Sequence, residues 1–204
     1  MMEVSIIGGE KNAVELITSA NGVTCGKELP PPKDIYKWAK QTFLSEHSTC
    51  EFIDFLIYSD VRADVCNQIV RHTAYHPRHE VQSQRPDWTG EERPRDPALE
   101  RKYMGKWNPK ALVMLGRQRL CNLAMKETKE YVSLVKKTLQ ESDVPIMQAM
   151  GEVMVPECIY RAGCPYGKRG CEFYHKHRHI FTYGDGVPVS MERRYELYNF
   201  YYFR

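Results

Sequence analysis

The chain has 204 residues, 42% hydrophobic and 27% charged, which is enough to bury a core as one domain or as one domain with an appendage. A formal net charge of +3 is too small to argue for nucleic acid by itself, no apolar run approaches a membrane span, and Met1-Met2-Glu3-Val4 does not begin a secretory signal. The seven cysteines are odd in number, with Cys25, Cys50, Cys66 and Cys121 scattered singly, so they read as reduced thiols of a cytoplasmic protein rather than a disulfide framework.

Val4, Ile6 and Ile7 predict a short strand closed by Gly8-Gly9. A helix follows over 11–20, with Ala13, Val14, Leu16 and Ile17 on one side and Asn21-Gly22 as its stop. After the stiff connector Pro30-Pro31-Pro32, Asp34 caps a helix running to about His47. Glu51 to Tyr58, rich in aromatic and branched residues, reads as a largely buried strand, and Val61 to His72 as a helix. Residues 86–107 show little apolar periodicity and read as mostly loop. The longest helix is expected over 109–140, with Gly116 as its weak point. Asp143-Val144-Pro145 starts another helix, because proline in a first turn gives up no hydrogen bond. A strand pair around Gly184-Asp185-Gly186 and a helix over 190–204 finish the chain. The pattern is α+β.

The segment 62–85 gathers guanidinium, imidazole, amide and hydroxyl groups at a helix end, Arg71-His72, and in the loop closing with Gln82-Ser83-Gln84-Arg85. Such donors suit a phosphorylated ligand, since arginine binds phosphate bidentately and short polar groups complete the cradle. His76 and His79, beside Arg78 and Glu80, read as solvated loop residues, and Arg117 as surface charge.

Three segments stand in one order: HSTCEFIDFLIYSDVRADVCNQIVRH, the loop ending QSQR, and GRQRLCNLAMKE. That order resembles the flavin-dependent thymidylate synthases, and the tail VPECIYRAGCPYGKRGC is similar to the cysteine-bearing end of many bacterial members. The resemblance implies a thymidylate synthase-like fold: an antiparallel sheet with long helices, over 1–155, followed by a small Cys/His-rich and aromatic extension over 156–204. It implies methylation of dUMP to dTMP using FAD, methylenetetrahydrofolate and NADPH, in a cytoplasmic homotetramer with no membrane or nucleic-acid partner. By the same resemblance Gln68, Arg71, Ser83, Arg85 and Arg119 bind the nucleotide. Arg119 is the catalytic residue, facing the uracil ring and favouring ionisation at N3. Arg71, His72, Asn108 and Lys110 meet the flavin, and Arg93, Arg95 and Arg101 are candidates for one further nucleotide contact. Thr73 stands where the family has a second arginine, Phe52 replaces a histidine, and the stretch between Arg85 and Asn108 is short. These departures leave open a relative acting on another pyrimidine nucleotide, or a non-catalytic zinc-stabilised nucleotide- or RNA-binding protein on the same scaffold.

Cys158, Cys164, Cys171 and His175, spaced C-x5-C-x6-C-x3-H, have the ligand types of a structural zinc site. The flanking aromatics resemble the CCCH class of RNA-binding zinc fingers. The same residues also read as a cluster of reduced, part-buried thiols.

Overall fold

The structure is a computed structural model and describes residues 4–9, 12–90, 92 and 96–203, with the side chains of 7–9 and 202 also left aside. Arg93 and Arg95 therefore lie outside the described residues. In chain order the elements are β1 (Val4–Gly9), α1 (Ala13–Cys25), α2 (Ile35–Leu44), β2 (Phe55–Arg62), α3 (Ala63–Ile69), β3 (Arg78–Val81), α4 (Pro86–Thr89), β4 (Glu100–Trp107) and α5 (Pro109–Arg119). Then come α6 (Lys126–Gln140), α7 (Pro145–Val153), α8 (Glu157–Tyr160), α9 (Glu172–Lys176) and α10 (Met191–Tyr202). Two compact units result: Met1–Pro32 with Ser48–Ala111, and Lys33–His47 with Leu112–Arg204. No helix among the described residues is long and apolar enough to cross a membrane.

The first unit is built on an antiparallel sheet in the order β1-β2-β4-β3. Central β2 alternates strictly, burying Phe55, Ile57, Ser59 and Val61 on one face, as expected of a strand with one covered side. The 3-10 turn Ser48–Phe52 occupies the start of the predicted strand, which begins only at Phe55. Residues 86–107 are not mostly loop: 100–107 form β4, paired along its whole length with β2. Its inward Tyr103, Gly105 and Trp107 alternate with Lys102, Met104 and Lys106, but a glycine at the central inward position weakens the apolar signal. Helix α1 runs through Asn21-Gly22 to Cys25, and Gly26, at φ 65°, ends it instead. There Lys27 N–H donates to Gly22 O and Gly26 N–H to Val23 O, closing the last turn on a left-handed glycine.

The second unit is helical. Asp34 caps α2 as expected, its carboxylate accepting from Lys37 N–H at 2.9 Å. Helix α7 packs against α2 and α6, and α10 against α7 and α8. Gly151 makes the α6–α7 approach possible, since a Cβ there would sit 2.8 Å from Gln140 N. The single helix expected over 109–140 is two, α5 and α6, broken at 120–125. The break falls beyond Gly116, where local bonds compete with the helical ladder: Leu123 N–H reaches Cys121 Sγ at 3.5 Å and Ala124 N–H reaches Cys121 O.

Candidate functional site

In the first unit the expected cradle is mounted on edge strand β3. His79 lies directly across from Gly105, and its ring sits edge-on to Trp107 with centroids 5.0 Å apart, while Trp107 and Tyr103 occupy the space over the glycine. His79 Nε2 is 3.2 Å from His72 O, and its Nδ1 is 2.9 Å from Tyr103 Oη. A carbonyl only accepts, so Nε2 carries the proton and Nδ1 accepts from the tyrosine. Trp107 Nε1–H in turn donates to Tyr103 Oη at 3.1 Å, completing a relay from tryptophan to tyrosine to histidine to backbone. Burial holds the His79 imidazole below its ordinary pKa, partly offset by the bond to His72 O. His79 is thus a half-buried structural pin, not the solvated loop residue its charged neighbours suggested, because the nearest of its partner side chains lies 24 residues away.

The relay ties down the loop 70–77, whose backbone is unusual. Tyr75 and His76 both adopt positive φ, 62° and 56°, which costs an L residue conformational energy. Asn108 holds this turn: its amide donates to Tyr75 O at 2.8 Å, while its Oδ1 caps α5 by accepting from Ala111 N–H at 3.0 Å. Lys110, on the same helix, forms a 2.8 Å ion pair with Glu51 and lies 5.1 Å from the Tyr75 ring. That pairing holds its ammonium above the usual lysine range.

The remaining residues expected in this unit are more open. Gln68 is half-buried on α3, His72 is buried, and Arg71 is exposed, with no ion pair among the described residues. Ser83 Oγ accepts from Arg85 N–H at 3.1 Å. The Arg85 guanidinium pairs with Asp87 at 2.8 Å and stacks 5.0 Å from the Trp88 ring, on an exposed surface. Gln84, between Ser83 and Arg85, has a buried Nε2 with no hydrogen-bond partner among the described residues. Arg101 Nε is likewise buried without a hydrogen-bond partner among the described residues.

Arg119 belongs to the second unit, where it lines a recess of about 700 Å³ at the end of α5. Arg117, two residues earlier, is buried rather than surface charge. It makes a fork-like pair with Glu46 and lies 3.5 Å from the Tyr160 ring centroid. Its partner sits 71 residues away, beyond the reach of any local pattern.

The same recess is lined by four cysteines, Cys121, Cys158, Cys164 and Cys171. Burial pushes the Cys158 thiol up to about 12, and the neighbouring Cys121, Cys171 and Cys164 sulfurs push in the same direction. His175 is not among the lining residues, and its ring packs edge-on against Tyr174 at 5.5 Å. As placed, no group of three or more His, Cys, Asp or Glu among the described residues closes around a common point.

A further titratable group carries no local sequence signal. Lys136 is fully buried on α6, donating to Gly151 O at 2.5 Å and Asn199 Oδ1 at 2.7 Å. Burial drives its ammonium down to about 7, with Glu152 opposing.

No protein-family model and no curated protein matches this chain. Among solved structures it is similar to the UMP/dUMP methylase PolB from Streptomyces cacaoi, solved with 5-Br dUMP bound. The likeness has a TM-score of 0.55 at 11% identity and covers 73% of this chain and 94% of that one. At that identity the two share a fold: an α+β architecture, here with a four-stranded antiparallel sheet.

Proposed function

We propose that the chain is a pyrimidine-nucleotide methylase working on the flavin-dependent thymidylate synthase plan. It would convert dUMP to dTMP, with methylenetetrahydrofolate as one-carbon donor and NADPH as electron source. The observation that carries this reading is the fold shared with a UMP/dUMP methylase. The order of the three motifs at 47–72, 82–85 and 116–127 supports it.

The donors of the first unit fit an anionic ligand. Among the described residues Arg71 has no ion pair and the buried Gln84 Nε2 has no acceptor, which a phosphate or ring oxygen would supply. The Arg85–Asp87 pair is 66% and 57% exposed, so exchanging the carboxylate for a phosphate costs little. Gln68, Arg71, Ser83 and Arg85 would hold the nucleotide, and Arg71, His72, Asn108 and Lys110 the FAD. Bound FAD would supply the two-electron chemistry and mediate one-carbon transfer to C5 of the ring. Lys110, shielded and paired with Glu51, is the least free of these to turn toward a ligand, so Asn108 and Lys110 would serve by fixing the Tyr75 turn. Arg119 would stabilise negative charge on the uracil ring. The working form would be a homotetramer.

Titrating dUMP, dCMP and UMP into FAD-loaded protein while following the flavin spectrum tests the reading. The dUMP titration should perturb the spectrum most. Arg119→Ala should lower dUMP-dependent flavin oxidation by about 100-fold or more while leaving far-UV circular dichroism unchanged. A protein that takes up no FAD, or unchanged turnover in that variant, overturns it. Thr73, in place of an expected arginine, favours a second reading, a non-catalytic nucleotide-binding protein. That reading requires dUMP binding without a flavin signal.

A further inference from the structure

We propose that Cys121, Cys158, Cys164 and Cys171 are the four ligands of a structural zinc ion, with Cys121 in the place that the C-x3-H spacing offers to His175. The inference stands apart from the nucleotide reading. It rests on the convergence of four thiols from two distant stretches of chain on one recess, which the imidazole of His175 does not line.

The local backbone suits sulfur ligands. Cys164 opens a tight turn, Gly167 N–H returning to its carbonyl at 3.0 Å, and Cys158 O, within α8, accepts from Gly163 N–H at 2.9 Å where that helix ends. Gly167 takes φ 55°, which a Cβ would disfavour. At Gly170 a Cβ would lie 3.0 Å from Cys164 Sγ, so the glycine keeps room beside that sulfur. Cys121 already accepts a hydrogen bond from Leu123 N–H, a contact that stabilises a thiolate.

Zinc binds four thiolates tetrahedrally at about 2.3 Å, which sets sulfurs roughly 3.8 Å apart. The four cysteines line one recess without closing on one point, so metal binding requires their side chains to turn toward a common centre. A zinc tetrathiolate carries net negative charge, and Lys129 and Arg119 line the same recess with positive charge to offset it, while Arg161 there is paired with Glu157. Cys121 follows Arg119 by two residues, so the metal would pin the turn that carries that arginine.

The test is metal analysis of the full chain expressed with zinc and purified under reducing conditions. About one zinc per chain is expected, falling below about a tenth in Cys121→Ser and in Cys158→Ser and persisting in His175→Ala. A serine variant can fail to fold, so the wild-type chain supplies a second measurement. Exchange with Co²⁺ should give tetrahedral d–d bands with strong thiolate charge transfer, and a mercurial should release zinc as about four thiols react. Zinc-free wild-type protein overturns the site. Zinc retained in Cys121→Ser but lost in His175→Ala overturns the ligand set, and iron with labile sulfide in place of zinc overturns the metal.

Discussion

His79 in the sheet unit and Lys136 in the helical unit are both nitrogen bases removed from water, and their surroundings treat the proton differently. His79 has one partner for each ring nitrogen in a single tautomer, so the neutral ring leaves no polar atom wanting. Lys136 faces two oxygen acceptors and the Phe203 ring 4.7 Å away, a set that wants a cation, yet burial withdraws the water a cation needs. The histidine is settled in one charge state at neutral pH. The lysine, driven down to about 7, sits at its balance point. Burial pushes both bases toward the neutral form, and the hydrogen bonds suit that form at His79 and the charged form at Lys136.

The relay breaks most sharply at Gly105. In Gly105→Ala the new methyl would fall 2.2 Å from Trp107 Nε1 and 2.3 Å from Tyr103 Oη, so the tyrosine–tryptophan bond has to open. A loss of about 2–3 kcal/mol is expected in urea denaturation. An unchanged midpoint would mean that the relay does not hold the sheet edge.

His79→Phe keeps the ring contact with Trp107 but removes both nitrogens, leaving His72 O and the Tyr103 hydroxyl proton without those partners. A loss of about 1–2 kcal/mol should follow. The folded-state pKa of His79 lies below the ordinary 6.5, so the unfolded chain binds the proton more readily. The relay's contribution is therefore full above 6.5 and declines as pH falls below it. The stability difference between wild type and variant should shrink from about pH 7 to pH 5, and a constant difference would count against the neutral tautomer.

Lys136→Met should move stability at neutral pH least, by less than about 1 kcal/mol, because an apolar chain of similar volume avoids the buried charge while losing two hydrogen bonds. Its signature is in the slope. The folded lysine titrates near 7 and the unfolded one near 10.5, so wild-type stability should rise with pH through that window relative to the variant. Parallel pH profiles would show that Lys136 remains charged throughout.

The elements anticipated correctly are those whose signals are local. Asp34 caps α2 three residues ahead, Pro145 opens α7, and Ser190 caps α10 through Arg193 N–H. Each is an interaction within one helical turn, and the alternation of β2 repeats every second residue. The cradle residues from Arg71 to Arg85 were equally legible as a concentration of donors. Their mounting was not, because β4 carries a glycine where an apolar residue would announce a strand, and that glycine makes sense only with the Trp107 and Tyr103 side chains folded over it.

Residue types and short-range spacing thus determined the α+β character, most helix starts, the concentration of hydrogen-bond donors in 62–85 and the wealth of thiols in the tail. Tertiary structure alone decided which of those groups are already committed. Arg117 finds Glu46 across 71 residues, Lys136 finds Asn199 across 63, and Cys121 joins the recess lined by the tail cysteines. A pairing at that range is fixed by the packing of whole helices and strands. Chain spacing sets only what lies within a turn or a strand pair, so the partner of a buried charge becomes visible only once the elements are docked.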